Sequence, residues 1–116
     1  APEQKTENRQ NTFELNAMKN IGLIDAIIPR YRSTYFSHIF AGGYSAGYYS
    51  YIWSAVLDTD AFQAFKETSL FNQEKAKLFR ENILEKGGTE DPAELYRKFR
   101  GADPKIEPLL KKRGLN

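Results

Sequence analysis

The chain has 116 residues, of which 41% are hydrophobic and 28% are charged, a composition typical of one globular domain rather than of a disordered segment. Seventeen basic and fifteen acidic side chains leave a net charge of +2, and the only clear basic cluster is Lys111 to Arg113. This balance argues against a nucleic-acid-binding module. The absence of cysteine excludes disulfides and thiolate zinc sites, and no apolar stretch is long enough to span a bilayer.

The first third of the chain predicts one helix between two irregular segments. Residues 1–10 are polar without apolar periodicity, and we expect them to form a mobile tail. Asn11 is the predicted N-cap of the helix, with Glu14 completing a capping box, and Gly22 is a plausible stop. Residues 23–40 contain a proline among β-branched and aromatic residues, so an extended or irregular conformation is predicted there.

The remaining residues predict four helices, each bounded by a cap, a proline or a glycine. They are expected to begin after Gly42-Gly43, at Asn72, at Asp91 and at Pro108, and to end near Thr68, Gly87, Gly101 and Gly114. The predicted fold class is therefore all-α, with several packed helices and a glycine-rich loop. The apolar side chains assigned to its core are Trp53, Leu57, Phe62, Phe65, Leu78, Phe79, Leu95 and Phe99.

Residues 36–53, "FSHIFAGGYSAGYYSYIW", concentrate the side chains that could carry chemistry. The chain has one histidine and no HExxH pair, its serines have no nucleophile-elbow context, and its glycine pair lacks the Lys-Ser/Thr of a phosphate loop. Tyr44 and Tyr51 are about two helical turns apart, and His38 lies six residues before Tyr44. These groups could donate hydrogen bonds to a carbonyl or an oxyanion. Spacing alone, however, favours core packing over binding.

Four stretches resemble the C-terminal region of the zinc oligopeptidases of the thimet oligopeptidase and oligopeptidase A family. They are "RYRSTYFSHIFAGGYSAGYYSYIWSAVLDTDAF", "LFNQEKAKLFRENILEKGG", "DPAELYRKFRG" and "IEPLLKKRGL". The motif "HIFAGGY" is most similar to the peptidyl-dipeptidase branch. The resemblance implies a mostly helical, two-lobed peptidase whose zinc is held by HExxH and a downstream glutamate. Since this chain has none of these residues, we expect 11–116 to be the C-terminal helical segment of the catalytic domain.

The resemblance also implies roles for individual residues. His38, Tyr44 and Tyr51 match by position the histidine and two tyrosines that face the family's active site. Tyr51 would then stabilise the oxyanion of the tetrahedral intermediate, and Tyr44 and His38 would bind the substrate backbone. Gly42-Gly43 would form a flexible loop that closes on the peptide. Tyr48 is a weaker candidate that would line the channel.

These roles imply particular partners and cofactors. Zinc is expected in the full-length enzyme and not in this fragment, which we expect to be inactive alone. The expected partners are short peptides and the missing N-terminal part of the chain, with no nucleic acid and no membrane, and non-native self-association is possible through exposed apolar surface. The expected location is cytoplasmic, or periplasmic if the full-length chain has a signal peptide. Tyr49 is expected to pack, and Arg30 and Arg32 to form surface salt bridges rather than to bind a substrate carboxylate.

Two alternatives remain open from the residues themselves. The chain could be a non-enzymatic helical module whose tyrosine face binds a partner helix or peptide. Binding of single-stranded nucleic acid is a weaker alternative, because it requires a basic groove around the stacking aromatic rings. Residues 33–57 contain no lysine or arginine.

Overall fold

The computed structural model describes residues 2–115, with side chains from Arg9 to Leu115. Within this range the regular structure is helical and contains no strand, which confirms the all-α prediction. None of the described helices is both long and apolar enough to cross a membrane. The α-helices are α1 (Pro2–Asn20), α2 (Ser37–Phe40), α3 (Ser50–Lys66), α4 (Gln73–Phe79), α5 (Pro92–Arg100) and α6 (Glu107–Lys112). A 3₁₀ turn covers Ser33–Tyr35, and a π-helical turn over Arg80–Leu84 continues α4.

The chain divides into two compact units, one up to Tyr48 and one from Tyr49 onward. In the first unit α1 begins at Pro2, so the predicted helix start at Asn11 is wrong. The mobility expected of residues 1–10 stays a prediction. The tail is rich in Glu, Gln, Lys and Arg, whose intrinsic helix propensity is high even without an apolar stripe. The predicted stop at Gly22 is confirmed: its φ is 76°, and the N–H groups that follow α1 return to its last carbonyls.

The segment after α1 is bound back to it by polar contacts. Residues 23–32 contain no helix, as predicted, and only Ser33–Tyr35 and α2 form single turns. Glu14 Oε1 accepts hydrogen bonds from the backbone N–H of Ser33, at 2.6 Å, and from its hydroxyl. Arg32 donates to both Glu14 and Asn11. The two residues predicted to cap a helix therefore hold the following segment against α1.

The helix boundaries of the second unit follow local capping signals. The side chain of Asn72 accepts a hydrogen bond from the N–H of Lys75 at 3.0 Å, and Asp91 caps α5 in the same way with Pro92 at the first position. Gly101 ends α5 with a φ of 84°, a conformation that favours glycine. These predicted boundaries are confirmed.

The core of the second unit forms around Ala64, Tyr96 and Phe99, and Phe99 is 1% exposed. Of the residues assigned to the core from the sequence, Leu95 is also buried, and the partly buried side chains packed against this centre include Leu57, Phe65 and Phe79. The rings of Phe79 and Phe99 meet edge to face with their centroids 5.1 Å apart. The core prediction is confirmed for these residues.

Three core assignments are wrong. Trp53 is 49% exposed, Phe62 is 51% exposed, and Leu78 is also exposed. Helical spacing shows which side chains share a face, but a face is buried only where another element packs over it. In the described structure these three side chains lie outside the faces that are covered.

A buried carboxylate connects α3 to α5. Asp60 is 1% exposed, and its Oδ2 accepts hydrogen bonds from the Tyr96 hydroxyl at 2.7 Å and from Arg100 Nε at 3.2 Å. The guanidinium of Arg100 also binds both oxygens of Glu67, each at 2.9 Å. Burial and the contact with Asp60 raise the pKa of Tyr96 above its usual range. The hydroxyl therefore keeps the proton that it donates to Asp60.

Replacing Tyr96 by Phe tests this connection. The Tyr96→Phe variant keeps the ring in the core but removes one of the two donors to a buried carboxylate oxygen. We expect the free energy of unfolding to fall by about 1–3 kcal/mol, measured by urea denaturation. The matched control is Tyr49→Phe in the same unit, where the side chain is exposed and the expected change is within about 0.5 kcal/mol. Equal effects of the two variants would contradict the role given to the Tyr96 hydroxyl.

Candidate functional site

Five of the six predicted site residues belong to the short α2 turn and the residues that follow it. His38 lies on α2, and residues 41–49 form successive turns in which the Gly47 N–H donates to the Tyr44 carbonyl at 3.0 Å. The regular helix begins only at Ser50, so the prediction of a helix directly after the glycine pair is wrong. Each glycine costs about 1 kcal/mol relative to alanine inside a helix, and three glycines fall within residues 42–47. Tyr44 and Tyr51 therefore do not share one regular helix.

A group of aromatic rings surrounds His38, and we call Tyr31, Phe36, His38, Tyr44 and Tyr48 the His38 cluster. The imidazole centroid is 5.3 Å from the Tyr31 ring, 5.5 Å from the Tyr48 ring and 6.0 Å from the Phe36 ring. Phe36 meets Tyr48 edge to face at 4.9 Å, and Tyr48 meets Tyr44 in the same way at 6.1 Å. The structure thus brings His38, Tyr44 and Tyr48 together.

Two members of the cluster, Tyr31 and Phe36, were not among the predicted site residues. Both precede His38 in the segment whose sequence pattern predicts irregular backbone, and irregular backbone has no periodicity from which a shared face could be inferred. Their rings are stacked, with centroids 4.9 Å apart and an interplanar angle of 18°. Only the richness in aromatic residues signalled that this segment could contribute.

The glycine pair affects the backbone after α2 through its missing side chains and not through unusual dihedral angles. Neither Gly42 nor Gly43 has a positive φ. A Cβ atom at Gly42 would lie 3.3 Å from the carbonyl oxygen of His38, tighter than an ordinary contact, whereas one at Gly43 would meet nothing within 4 Å. Gly42 therefore permits a close approach of the chain to α2, and Gly43 has no such requirement.

Tyr51 belongs to the second unit, on the first turn of α3, and is 57% exposed. Tyr49 directly precedes this helix and is 68% exposed, so the expectation that Tyr49 packs is wrong. Since α3 begins at Ser50, Tyr51 is held on regular helical backbone, unlike the tyrosines of the His38 cluster.

Three charged residues of the first unit, Glu14, Arg30 and Arg32, form contacts with each other or with a ring. Arg32 forms the salt bridge with Glu14, as expected, and Arg30 lies over the Tyr31 ring with its guanidinium carbon 5.2 Å from the centroid. The Ser33 hydroxyl and N–H, together with the Arg32 guanidinium, lower the pKa of Glu14 to about 2. We call these contacts of Glu14 with Arg32 and Ser33 the Glu14 anchor.

A cavity of about 410 Å³ lies beside the Glu14 anchor. It is lined mainly by apolar side chains, among them Phe13, Met18 and Tyr31. The site is thus mainly aromatic, and the Arg30 guanidinium lies against one of its rings.

Comparison with known proteins identifies the family. Residues 1–115 match the sequence model of Peptidase family M3. The chain belongs to this family. The family indicates a metallopeptidase, which agrees with the resemblance seen in the sequence.

Three relatives of this chain are bacterial proteins. A dipeptidyl carboxypeptidase from Escherichia coli is 52% identical over 90% of this chain, and one from Salmonella typhimurium is 43% identical over 98% of it. An oligopeptidase A from Escherichia coli is 51% identical over 69% of the chain. The chain spans only 15%, 17% and 12% of the lengths of these three relatives.

Family M3 peptidases depend on zinc, and a zinc site needs several His, Cys, Asp or Glu ligands close together. The described residues contain no group of three or more His, Cys, Asp or Glu side chains that could hold a metal ion. His38 has aromatic rings rather than carboxylates around it. The described side chains therefore do not fit a zinc centre by themselves.

Titration of Glu14 tests the anchor between α1 and the His38 segment. Because the folded pKa, about 2, lies below the unfolded value of 4.5, the anchor stabilises the fold fully above about pH 4.5. This contribution is lost as the pH falls from 4.5 towards 2. Carbon-13 NMR of the Glu14 carboxyl group should show a midpoint near pH 2 that rises in Arg32→Gln. Arg30→Gln is the matched control and should leave the midpoint unchanged; a midpoint near 4.5 in the unmodified chain would contradict the anchor.

Proposed function

We propose that this chain is the C-terminal substrate-binding part of a zinc metallopeptidase that releases dipeptides from the C-termini of peptides. The observation that carries the proposal is the clustering of His38, Tyr44 and Tyr48 in a chain of Peptidase family M3. The small share of each relative that the chain covers supports a longer protein. In this proposal the zinc ligands and the water-activating glutamate belong to that longer protein, and the 116 residues alone are inactive.

His38 and Tyr44 are proposed to bind the backbone of the peptide near the scissile bond. Imidazole and phenol groups can each donate or accept a hydrogen bond, as a peptide group requires. Tyr44 is 40% exposed, and His38 is half-buried among rings that restrict its motion. Tyr48 is proposed to line the same channel, and the backbone at Gly42-Gly43 to move when the peptide enters.

Tyr51 is proposed to donate its hydroxyl hydrogen to the oxyanion that develops at the scissile carbonyl. A neutral phenol forms a stronger hydrogen bond as negative charge builds, so this contact stabilises the transition state more than the bound substrate. The exposure of the side chain and its position on regular helix support this role, because more than half of the side chain is exposed and a regular helix is a rigid support.

The Tyr51→Phe variant of the full-length peptidase tests the oxyanion role. The substitution removes only the hydroxyl, so we expect kcat to fall roughly a hundred- to a thousandfold, or about 3–4 kcal/mol of barrier, with a small change in KM. Steady-state cleavage of a fluorogenic peptide provides the measurement. Tyr49→Phe is the matched control, two residues away, and should keep kcat within about twofold. An unchanged kcat for Tyr51→Phe would refute the assignment.

The proposal also specifies that the full-length enzyme releases dipeptides from the C-terminus of a peptide. The two dipeptidyl carboxypeptidases match more of this chain than the oligopeptidase A does, which supports this specificity over internal cleavage. The proposed partners are accordingly short peptides with a free C-terminus. The cellular compartment stays a prediction.

Product analysis of matched peptides separates the two specificities. The full-length enzyme should convert a peptide with a free C-terminal carboxylate into a dipeptide and a shortened peptide, followed by mass spectrometry. The same peptide with an amidated C-terminus is the control and should be cleaved at least about tenfold more slowly, since a lost charge-assisted contact costs about 1.5–3 kcal/mol. Equal cleavage of both peptides at an internal bond would instead establish an endopeptidase.

A further inference from the structure

The His38 imidazole is oriented by rings and not by a hydrogen bond to its buried nitrogen. Its Nδ1 atom is buried and has no hydrogen-bond partner among the described residues. In many sites a hydrogen bond to one ring nitrogen fixes the orientation of the other. Here that function falls to the neighbouring rings of Tyr31, Phe36 and Tyr48.

Tyr31 differs from Phe36 and Tyr48 in two ways: its ring is nearer to the imidazole, and a stacked ring and a guanidinium contact it. Its ring is the nearest to His38, at 5.3 Å, and is stacked on Phe36 on one side. The Arg30 guanidinium lies over the ring as well. A ring held by several contacts loses little further freedom when it orients a neighbour, so it can act as a fixed support.

The backbone that carries Tyr31 is also fixed. The next two residues, Arg32 and Ser33, are bound to Glu14 on α1 through the guanidinium, the hydroxyl and the N–H. A continuous series of contacts therefore runs from α1 through Glu14 and the Tyr31 segment to His38. A preorganised binding group needs this kind of support from residues that do not themselves touch the ligand.

We propose that Tyr31 is a positioning residue for peptide binding, and that its ring sets the orientation of the His38 imidazole. The inference rests on the proposed role of His38 in binding the peptide backbone. Tyr31 acts through its ring face and edge, so its hydroxyl is dispensable. Loss of the ring leaves His38 in several orientations, and peptide binding then includes the cost of selecting one of them.

Kinetics of the full-length enzyme test the functional part of this proposal. Tyr31→Leu should lower kcat/KM about three- to tenfold, mainly through a higher KM, as expected for one aromatic contact. Tyr31→Phe keeps the ring and should retain the unmodified value. Tyr35→Leu is the matched control, because Tyr35 is exposed and its ring meets only Tyr31, at 6.5 Å, among the described contacts.

A double-mutant cycle separates positioning from direct contact. If Tyr31 acts through His38, adding Tyr31→Leu to His38→Gln should cause no further loss in kcat/KM. Additive losses would overturn the proposal, and a loss in Tyr31→Phe would overturn the claim that the hydroxyl is dispensable. Tyr31→Met provides a second ringless variant if Tyr31→Leu lowers the folded fraction, as judged by circular dichroism.

The imidazole itself provides a readout that does not depend on activity. In the full-length protein labelled with ¹⁵N-histidine, the signal that disappears in His38→Gln identifies His38. Its nitrogen chemical shifts should change in Tyr31→Leu and stay the same in Tyr31→Phe and Tyr35→Leu. An unchanged signal in Tyr31→Leu would overturn the role of Tyr31. A normal kcat/KM for His38→Gln would instead overturn the proposed function of His38, so the two failures are distinguishable.

Discussion

A carboxylate that is almost fully removed from water constrains the second unit. Asp60 is 1% exposed, and its Oδ2 needs hydrogen-bond donors in place of water, because a buried polar group without a partner destabilises the fold. Tyr96 and Arg100 supply those donors from α5, where their spacing of four residues places both on one face. Phe99 lies between them in sequence and fills the adjacent core. The polar contact and the apolar packing around Ala64, Tyr96 and Phe99 therefore both connect α3 to α5.

The first unit is organised on a different principle. Its polar anchor, Glu14 with Arg32 and Ser33, lies at the edge, and its centre is a group of rings around one imidazole. Ring contacts are individually weak, about 0.5–1.5 kcal/mol each, but several of them around His38 limit its orientations without adding charge. Imidazole and phenol groups can donate or accept the hydrogen bonds that a peptide backbone forms.

Resemblance and helical periodicity led to different predictions about the candidate site. The roles that the resemblance assigns to its residues stay predictions, whereas the helix that periodicity predicted directly after Gly43 is wrong. The resemblance singled out His38, Tyr44 and Tyr48, which the structure brings together. Helical spacing placed Tyr44 and Tyr51 on one face, but the turns before Ser50 break that periodicity. Tyr31 escaped prediction because ring contacts across irregular backbone follow no sequence period.

The sequence by itself determined the helical class and those boundaries that depend on local chemistry. Caps such as Asp91 and stops such as Gly101 act within a few residues, so their effect can be inferred from neighbours in the chain. Only the tertiary structure decided which apolar faces are covered, so that Trp53 is exposed and Phe99 is buried. It also decided that Asn11 and Glu14 bind a later segment instead of capping a helix. These outcomes depend on contacts between residues distant in sequence, and the energies of such contacts cannot be inferred from a local pattern.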